Sequence, residues 1–428
     1  MTPLQETDKK NIWHPYTQMK TFNNPIPIVE GRGAYLFDEL GNRYIDAISS
    51  WWVNTHGHCN PYIAEKIATQ AKKLEHSLFA GLTHQPAVEL SEKLLNILPD
   101  NQKKIFFSDN GSTSVEIAIK MAIQYFRNQG APRSRIIAFE DAFHGETFGT
   151  MSVGGKSVYN EHFRDFLFDV DRIPLPTPGK EQEVLAALET LLEQDEYCCF
   201  IFEPLVLGAA GMLMYSPEIL NALIGKCREK GVLTIADEVM TGFGRTGKNF
   251  AVDYVQNKPD LMCMSKGLTG GFLPMAITSC SQHVFDNFLA DDNSKTFFHG
   301  HSFTANPLGC AASIASIDLL NSSDCKAQLL GIESSHKQFA KRLKEHPKVE
   351  NVRVTGTILA FDVVAQSKSE TYGALREQLY AFYMKHNLLL RPLGSTVYVL
   401  PPFCIEPEDL DTIYTTLLAS LEHVSIDQ

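Results

Sequence analysis

Two residues in this chain have the type and the setting for covalent and acid–base chemistry. Lys266 sits in Met264-Ser265-Lys266-Gly267-Leu268-Thr269-Gly270-Gly271, at the end of the apolar run Leu261–Ser265. A lysine held at a buried strand end among small residues loses hydration, so its pKa falls and its neutral amine can attack a carbonyl. A solvated loop lysine is the commoner fate of that residue type, and the position alone leaves both readings open. Asp237 closes the run Val232–Asp237 and is followed by Glu238. A carboxylate there either caps a loop or keeps a cationic ring nitrogen protonated, because opposite charges stabilise each other. About one strand–helix–strand step separates Asp237 from Lys266, which can bring both to the same sheet edge.

Two further segments share this pattern. Ser108-Asp109-Asn110-Gly111-Ser112-Thr113 joins an apolar run to an amphipathic helix. A helix N-terminus exposes free N–H groups, glycine permits close approach, and the hydroxyls add donors, so the segment suits a phosphate; a plain helix cap is the alternative. Ala142-Phe143-His144-Gly145-Glu146-Thr147 follows the run ending at Phe139. An aromatic there either joins the core or stacks on a flat ligand ring. Each segment is ambiguous alone. Together they supply a lysine for covalent attachment, a carboxylate for a ring nitrogen, an aromatic face and a phosphate cradle, the four needs of pyridoxal 5'-phosphate.

The elements that must position these residues show in the apolar runs. Ile105–Ser108, Arg135–Phe139, Cys198–Glu203, Val232–Asp237, Leu261–Ser265 and Met275–Ser279 read as strands covered on both faces, as in parallel sheets. Helical spacing appears in Ser112–Phe126, and helices are also expected at Pro61–Leu74, Pro86–Leu98, Pro217–Lys230, Pro307–Leu320 and Glu333–Glu345. The alternation predicts an α/β domain with a mainly parallel sheet over 50–320. The ends, 1–49 and 321–428, mix short strands with helices near 371–386 and 407–422. They are expected to form a smaller α+β domain built from both termini.

Composition sets the frame. The 428 residues carry a formal charge of −12, with 44% hydrophobic and 21% charged residues. That is the profile of a globular enzyme of two or three domains, and the charge argues against nucleic acid or a membrane as partner. Nine cysteines with no Cys-x-x-Cys pair read as reduced, mostly buried thiols, so neither a disulfide framework nor a metal site is expected. Met1–Lys10 is polar, giving no secretory signal. The longest apolar stretch, Cys198–Tyr215, is broken by Glu203, Pro204, Gly208 and Gly211, and a cytoplasmic protein is expected. Gly242-Phe243-Gly244-Arg245-Thr246-Gly247 fits a dinucleotide-binding fingerprint literally. Asp237–Thr241 separates it from the preceding strand, and Lys248-Asn249-Phe250 opens no helix, so its glycines are read as carrying Arg245 towards a site.

With these motifs in place, nearly the whole chain resembles the class III aminotransferases of pyridoxal-phosphate fold type I. Trp13-His14-Pro15-Tyr16-Thr17-Gln18-Met19, Ser49-Ser50-Trp51-Trp52, His56-Gly57, Gly242–Gly247, His299-Gly300 with Asn306-Pro307-Leu308, and Arg391-Pro392 carry the closer match. The resemblance implies that Lys266, Asp237 and Tyr16 are catalytic. Gly111, Ser112, Phe143, His301 and Ser302 would bind the cofactor with Asp237 and Lys266, Ser302 reaching over from the second subunit of a homodimer. Tyr16, Trp51, Trp52, Phe143, Arg245, Gly300 and Arg391 would hold a small-molecule substrate, Arg391 gripping its far carboxylate. The implied reaction is a ping-pong amination of 8-amino-7-oxononanoate to 7,8-diaminononanoate, a step of biotin synthesis. S-adenosylmethionine is the expected donor. Family members that use S-adenosylmethionine commonly have Tyr at Phe143 and Pro-Thr at His301-Ser302, so lysine as donor stays open; another ω-amine or diamine transaminase is the alternative reading.

Overall fold

The computed structural model describes residues 1–157, 159–364 and 373–423. Its central sheet has seven strands in the order Gln102–Ser108, Ala276–Ser281, Leu261–Met264, Leu233–Asp237, Tyr197–Phe202, Arg135–Phe139 and Asp171–Ile173. The apolar runs fall on these strands, and Tyr197–Phe202 and Leu233–Asp237 are buried along their full length. Neighbours from Leu261–Met264 to Asp171–Ile173 pair in parallel. The run at Met275–Ser279 departs from the parallel set, because Ala276–Ser281 lies antiparallel to both its neighbours. The connection from Met264 to Ala276 is too short for the helical crossover that a parallel return needs. The strand Asp171–Ile173 gave no apolar run to read.

This topology opens Ser108, Phe139, Phe202, Asp237 and Met264 at one edge of the sheet, the carboxyl ends where open α/β sheets bind ligands. The helix Gly111–Asn128 starts at that edge and buries Val115, Ala118, Ile119, Ala122 and Phe126, the stripe its spacing predicts. Asn110 caps it and Thr113 completes a capping box, so the cap leaves the Ser112 hydroxyl free for another task. The helix Pro307–Leu320, buried nearly all round, packs against Pro61–Ala71 and Gln85–Ile97.

The chain ends meet. Ile28–Arg32, Tyr35–Asp38 and Arg43–Asp46 form a meander, and Leu388–Leu389 joins its edge in parallel. Val349–Thr355, Ile358–Val363 and Thr396–Val399 form a separate antiparallel sheet. The helix expected at Glu333–Glu345 begins earlier, as Ser323–Lys344, capped by Ser322. That expected near 371–386 is Ala374–Lys385, with 371 and 372 outside the described residues. The N-terminal helix Pro3–Asn11 was unread, although Thr2-Pro3-Leu4-Gln5 spells its capping box. Seven of the nine cysteines are buried. Among the described residues no helix is long and apolar enough to cross a membrane, and no group of three or more metal-ligating side chains converges.

Candidate active site

A cavity of about 850 Å³ lies over the carboxyl edge of the sheet. Its floor carries four ionisable side chains from strand ends. Asp237, 5% exposed, accepts from Val239 N–H at 3.0 Å and faces His144 Nδ1 at 2.7 Å. Glu203 takes Phe143 N–H on one oxygen and Gly208 N–H on the other, each at 2.9 Å. Burial pushes its carboxyl up to about 7, with His144 opposing and Asp237 assisting. Burial also lowers the Lys266 amine from its ordinary value, against the pull of Asp237 and Glu203 and with the help of Arg245. Lys266 has φ +44°, a conformation an L-residue enters only when its surroundings hold it there. Its Nζ lies 4.8 Å from the Trp52 ring centroid. The arrangement is a half-buried, nucleophilic amine beside a fixed carboxylate.

One corner is built for an anion. Gly111 and Ser112 open the helix towards the cavity. A Cβ on Gly111 would meet a Val239 methyl at 2.8 Å, and one on Gly145 would meet Ser112 Oγ at 2.1 Å. The backbone therefore closes to a distance that only glycine permits. Ser112 Oγ accepts from Glu146 N–H at 3.2 Å, so its own hydrogen can point elsewhere. The N-terminal amides, this hydroxyl and the dipole fit a phosphate. Phe143 lines the space between that corner and Asp237. The buried His144 Nε2 has no hydrogen-bond partner among the described residues, leaving this side of the floor with polar capacity in hand. Amine, carboxylate, aromatic face and anion corner together fit pyridoxal phosphate.

The opposite wall is an exceptional piece of backbone. Ser49, Ser50, Trp51 and Trp52 have φ of +50°, +46°, +76° and +72°, one turn of left-handed helix closed by Trp52 N–H to Ile48 O and Val53 N–H to Ser49 O. Such a turn costs about 1–2 kcal/mol per residue, so neighbours must hold it. Asp46 accepts from Ser50 N–H at 2.9 Å, from Ser50 Oγ at 2.8 Å and from Ile48 N–H at 3.3 Å. Ser49 Oγ donates to Leu400 O. The turn puts Trp51 into the cavity beside Tyr16, ring centroids 5.2 Å apart, while Trp52 Nε1 donates to Tyr398 Oη. Tyr16 donates to Glu146 at 2.8 Å. Arg391 stands at the far end, 5.6 Å from the Trp51 ring and 5.7 Å from the Tyr380 ring. No carboxylate among the described residues pairs with Arg391, so its charge is available to a ligand.

The structure brings Gly111, Ser112, Phe143, Asp237, Lys266, Tyr16, Trp51, Trp52 and Arg391 around one cavity. Arg245 is not there. It is 1% exposed and donates to the carbonyls of Pro401 at 2.8 Å, Asn54 at 3.1 Å and Trp52 at 3.4 Å. It clamps the far end of the left-handed turn to the loop around Pro401 and does not line the cavity, where a substrate contact was expected. Gly300, His301 and Ser302 also lie off the cavity of their own chain; Ser302 and the adjacent Phe303 are exposed. Reading the sequence missed His144, Glu203, Glu146, Tyr159 and Arg376, all at the cavity. His144 and Glu146 flank Phe143 in the motif already singled out, and Glu203 closes a buried strand as Asp237 does. Tyr159 and Arg376 carried no signal of their own.

Comparison with known proteins gives the family. The profile described as aminotransferase class-III matches residues 16–421. A protein of Synechococcus elongatus named adenosylmethionine-8-amino-7-oxononanoate aminotransferase is 46% identical over 422 residues, covering 97% of this chain and 99% of its own. The solved structure of the protein of that name from Methanocaldococcus jannaschii superposes with a TM-score of 0.93 at 34% identity, covering 99% of each chain. An omega transaminase from Pseudomonas jessenii, solved in complex with PMP, reaches 0.92 at 25% identity, covering 99% of this chain and 98% of its own.

Proposed function

Because the chain belongs to the class-III aminotransferases, pyridoxal-phosphate-dependent transaminases, we propose that it aminates 8-amino-7-oxononanoate to 7,8-diaminononanoate. S-adenosylmethionine is the proposed donor, in a ping-pong cycle serving biotin synthesis. The observation that carries the substrate is the apolar cavity, walled by Trp51 and Trp52, that is lined by Lys266 and by Arg391, which pairs with no carboxylate among the described residues. It matches a molecule with a ketone at one end, an alkyl chain and a carboxylate. Bound there, pyridoxal phosphate supplies a carbonyl that exchanges amines and a ring that withdraws electrons from the substrate carbon.

The residues do the rest. Lys266 Nζ would hold the cofactor and, as a free amine, would act as the base that takes the proton from the substrate carbon. Burial lowers its pKa from the ordinary lysine value, which favours the neutral amine. Asp237, fixed by His144, keeps the ring nitrogen protonated. Gly111 and Ser112 hold the phosphate, and Phe143 covers the ring. Tyr16, Trp51 and Trp52 exclude water and bury the chain, worth about 0.8 kcal/mol per CH₂. Arg391 takes the carboxylate in a bidentate pair. Gly300, His301 and Ser302, off the cavity of their own chain, complete the site of a second copy in a cytoplasmic homodimer. In this reading residues 50–320 carry the cofactor and the two ends close over the substrate.

Lysine is the second reading for the donor, favoured by Phe143, which lacks the hydroxyl expected beside a larger donor. Half-reactions separate the two. Cofactor-loaded protein is mixed with S-adenosylmethionine or with lysine, the bound-cofactor absorbance is followed, and the ketone is added. S-adenosylmethionine is expected to shift the spectrum and the ketone to restore it. Restoration by no donor–ketone pair overturns the assignment.

A further inference from the structure

The Arg391 end of the cavity carries a second guanidinium. Arg376 lines the same cavity as Arg391. It belongs to the helix Ala374–Lys385, with Tyr380 one turn further on. Residues four apart share a helix face, and the Tyr380 ring centroid lies 5.7 Å from the Arg391 guanidinium carbon. The face that carries Arg376 is therefore the one turned to Arg391. Tyr398, also on the cavity wall, feels both cations. Burial pushes its hydroxyl up to about 12, and the hydrogen bond from Trp52 and the charges of Arg391 and Arg376 pull against the rise.

This is a costly place for a positive charge. The Arg376 side chain is only 11% exposed, and a cation drawn out of water loses solvation. Arg376 is the third residue of its helix, where the helix dipole disfavours a cation. Arg391 adds like-charge repulsion across the same end of an apolar cavity. Arg376 pairs with Glu377, whose carboxylate is 60% exposed; an exposed pair of this kind is weak. A guanidinium has several N–H donors, enough to serve Glu377 and a ligand together. An anion entering between the two guanidinia relieves their repulsion whatever else each of them touches.

We infer that Arg376 is a second binding residue for the far carboxylate of the ketone, which lies between it and Arg391. The inference rests on 8-amino-7-oxononanoate being the substrate. The oxygens of one carboxylate can accept from different guanidinia, so a single acid group answers both cations. The helix Ala374–Lys385 then takes part in substrate recognition and is more than packing for the C-terminal region.

The test compares the ketone with its methyl ester, which keeps the chain and lacks the charge. Arg376→Gln and Arg376→Met both remove the cation, and a melting curve selects the variant that folds. The cofactor-loaded enzyme is assayed with the donor that the half-reactions select. The ketone kcat/KM is expected to fall by about tenfold, through KM and not kcat, while the ester kcat/KM falls far less. Arg376→Lys is expected to restore part of the loss. An unchanged ketone kcat/KM overturns the inference. So does an equal loss for ketone and ester, which marks Arg376 as structural. A parent enzyme that converts the ketone with no donor overturns the functional reading first, and the inference with it; a parent that converts it and is matched by the variants overturns the inference alone.

Discussion

The floor of the cavity and its aromatic wall are built in opposite ways. Asp237 and Glu203 stand at the ends of regular buried strands, and Lys266 follows another, bending into φ +44° only at its own residue. The wall is the four-residue left-handed turn Ser49–Trp52, which no local preference favours and which Asp46 and Arg245 hold from behind. Reacting groups need a stiff edge, and a sheet supplies one at no conformational cost. The wall must deliver two adjacent indoles to different places, one into the cavity and one over Lys266, and regular backbone does not offer that geometry. Substitutions in the floor should therefore cost chemistry, and substitutions behind the wall should cost stability and ketone binding together.

The largest effect is expected in the floor. Lys266→Ala should lower turnover by about 10⁴-fold or more, with the denaturation midpoint close to that of the parent; steady-state assays and urea titration check the pair of results. Behind the wall, Asp46→Ala removes the acceptor of three local hydrogen bonds and of the 2.8 Å contact to His58. It should cost about 3 kcal/mol of stability, read by urea denaturation, and raise the ketone KM.

The two arginines sharpen the contrast. Arg391→Ala should weaken ketone binding by about 10–100-fold with little change in stability, since a charged hydrogen-bonded pair is worth about 1.5–3 kcal/mol. Arg245→Ala should reverse the pattern, destabilising by about 3 kcal/mol because three buried carbonyls lose their donor. An Arg245→Ala protein of full stability with a weakened ketone KM would return Arg245 to the substrate.

An effect confined to one pH window concerns Glu203, whose carboxyl is raised to about 7 by burial. Its folded pKa exceeds its unfolded one, so the folded state holds the extra proton, and stability from this group falls as pH rises through the window from the ordinary carboxylate value to about 7. Glu203→Gln should remove that fall, up to about 3 kcal/mol across the window. Glu238, also raised to about 7 and buried, is common to both proteins, so their difference isolates Glu203. Urea titrations at a series of pH values check it; parallel curves would show that Glu203 is not held protonated.

Much of the floor was legible because its signals are local. An apolar run ending in Asp237, and another ending at Lys266 with glycines behind it, name the strand and the edge together. The phosphate corner was half legible: the helix start was plain, but that Asn110 takes the cap and frees Ser112 depends on rotamers. The wall was legible only as the motif Ser49-Ser50-Trp51-Trp52. Its left-handed backbone depends on Asp46 and on Leu400, far along the chain. The carbonyl contacts of Arg245 were hidden for the same reason, because glycines around an arginine tell of close approach without telling to what. The antiparallel strand Ala276–Ser281 was hidden because burial on both faces gives the same apolar run in either direction.

The most direct test is mass analysis of a single turnover. Enzyme carrying cofactor is aminated with S-adenosylmethionine, freed of donor and given 8-amino-7-oxononanoate. The account predicts one equivalent of 7,8-diaminononanoate, and none from Lys266→Ala. Unconverted ketone beside a parent enzyme that has accepted the amine would contradict it.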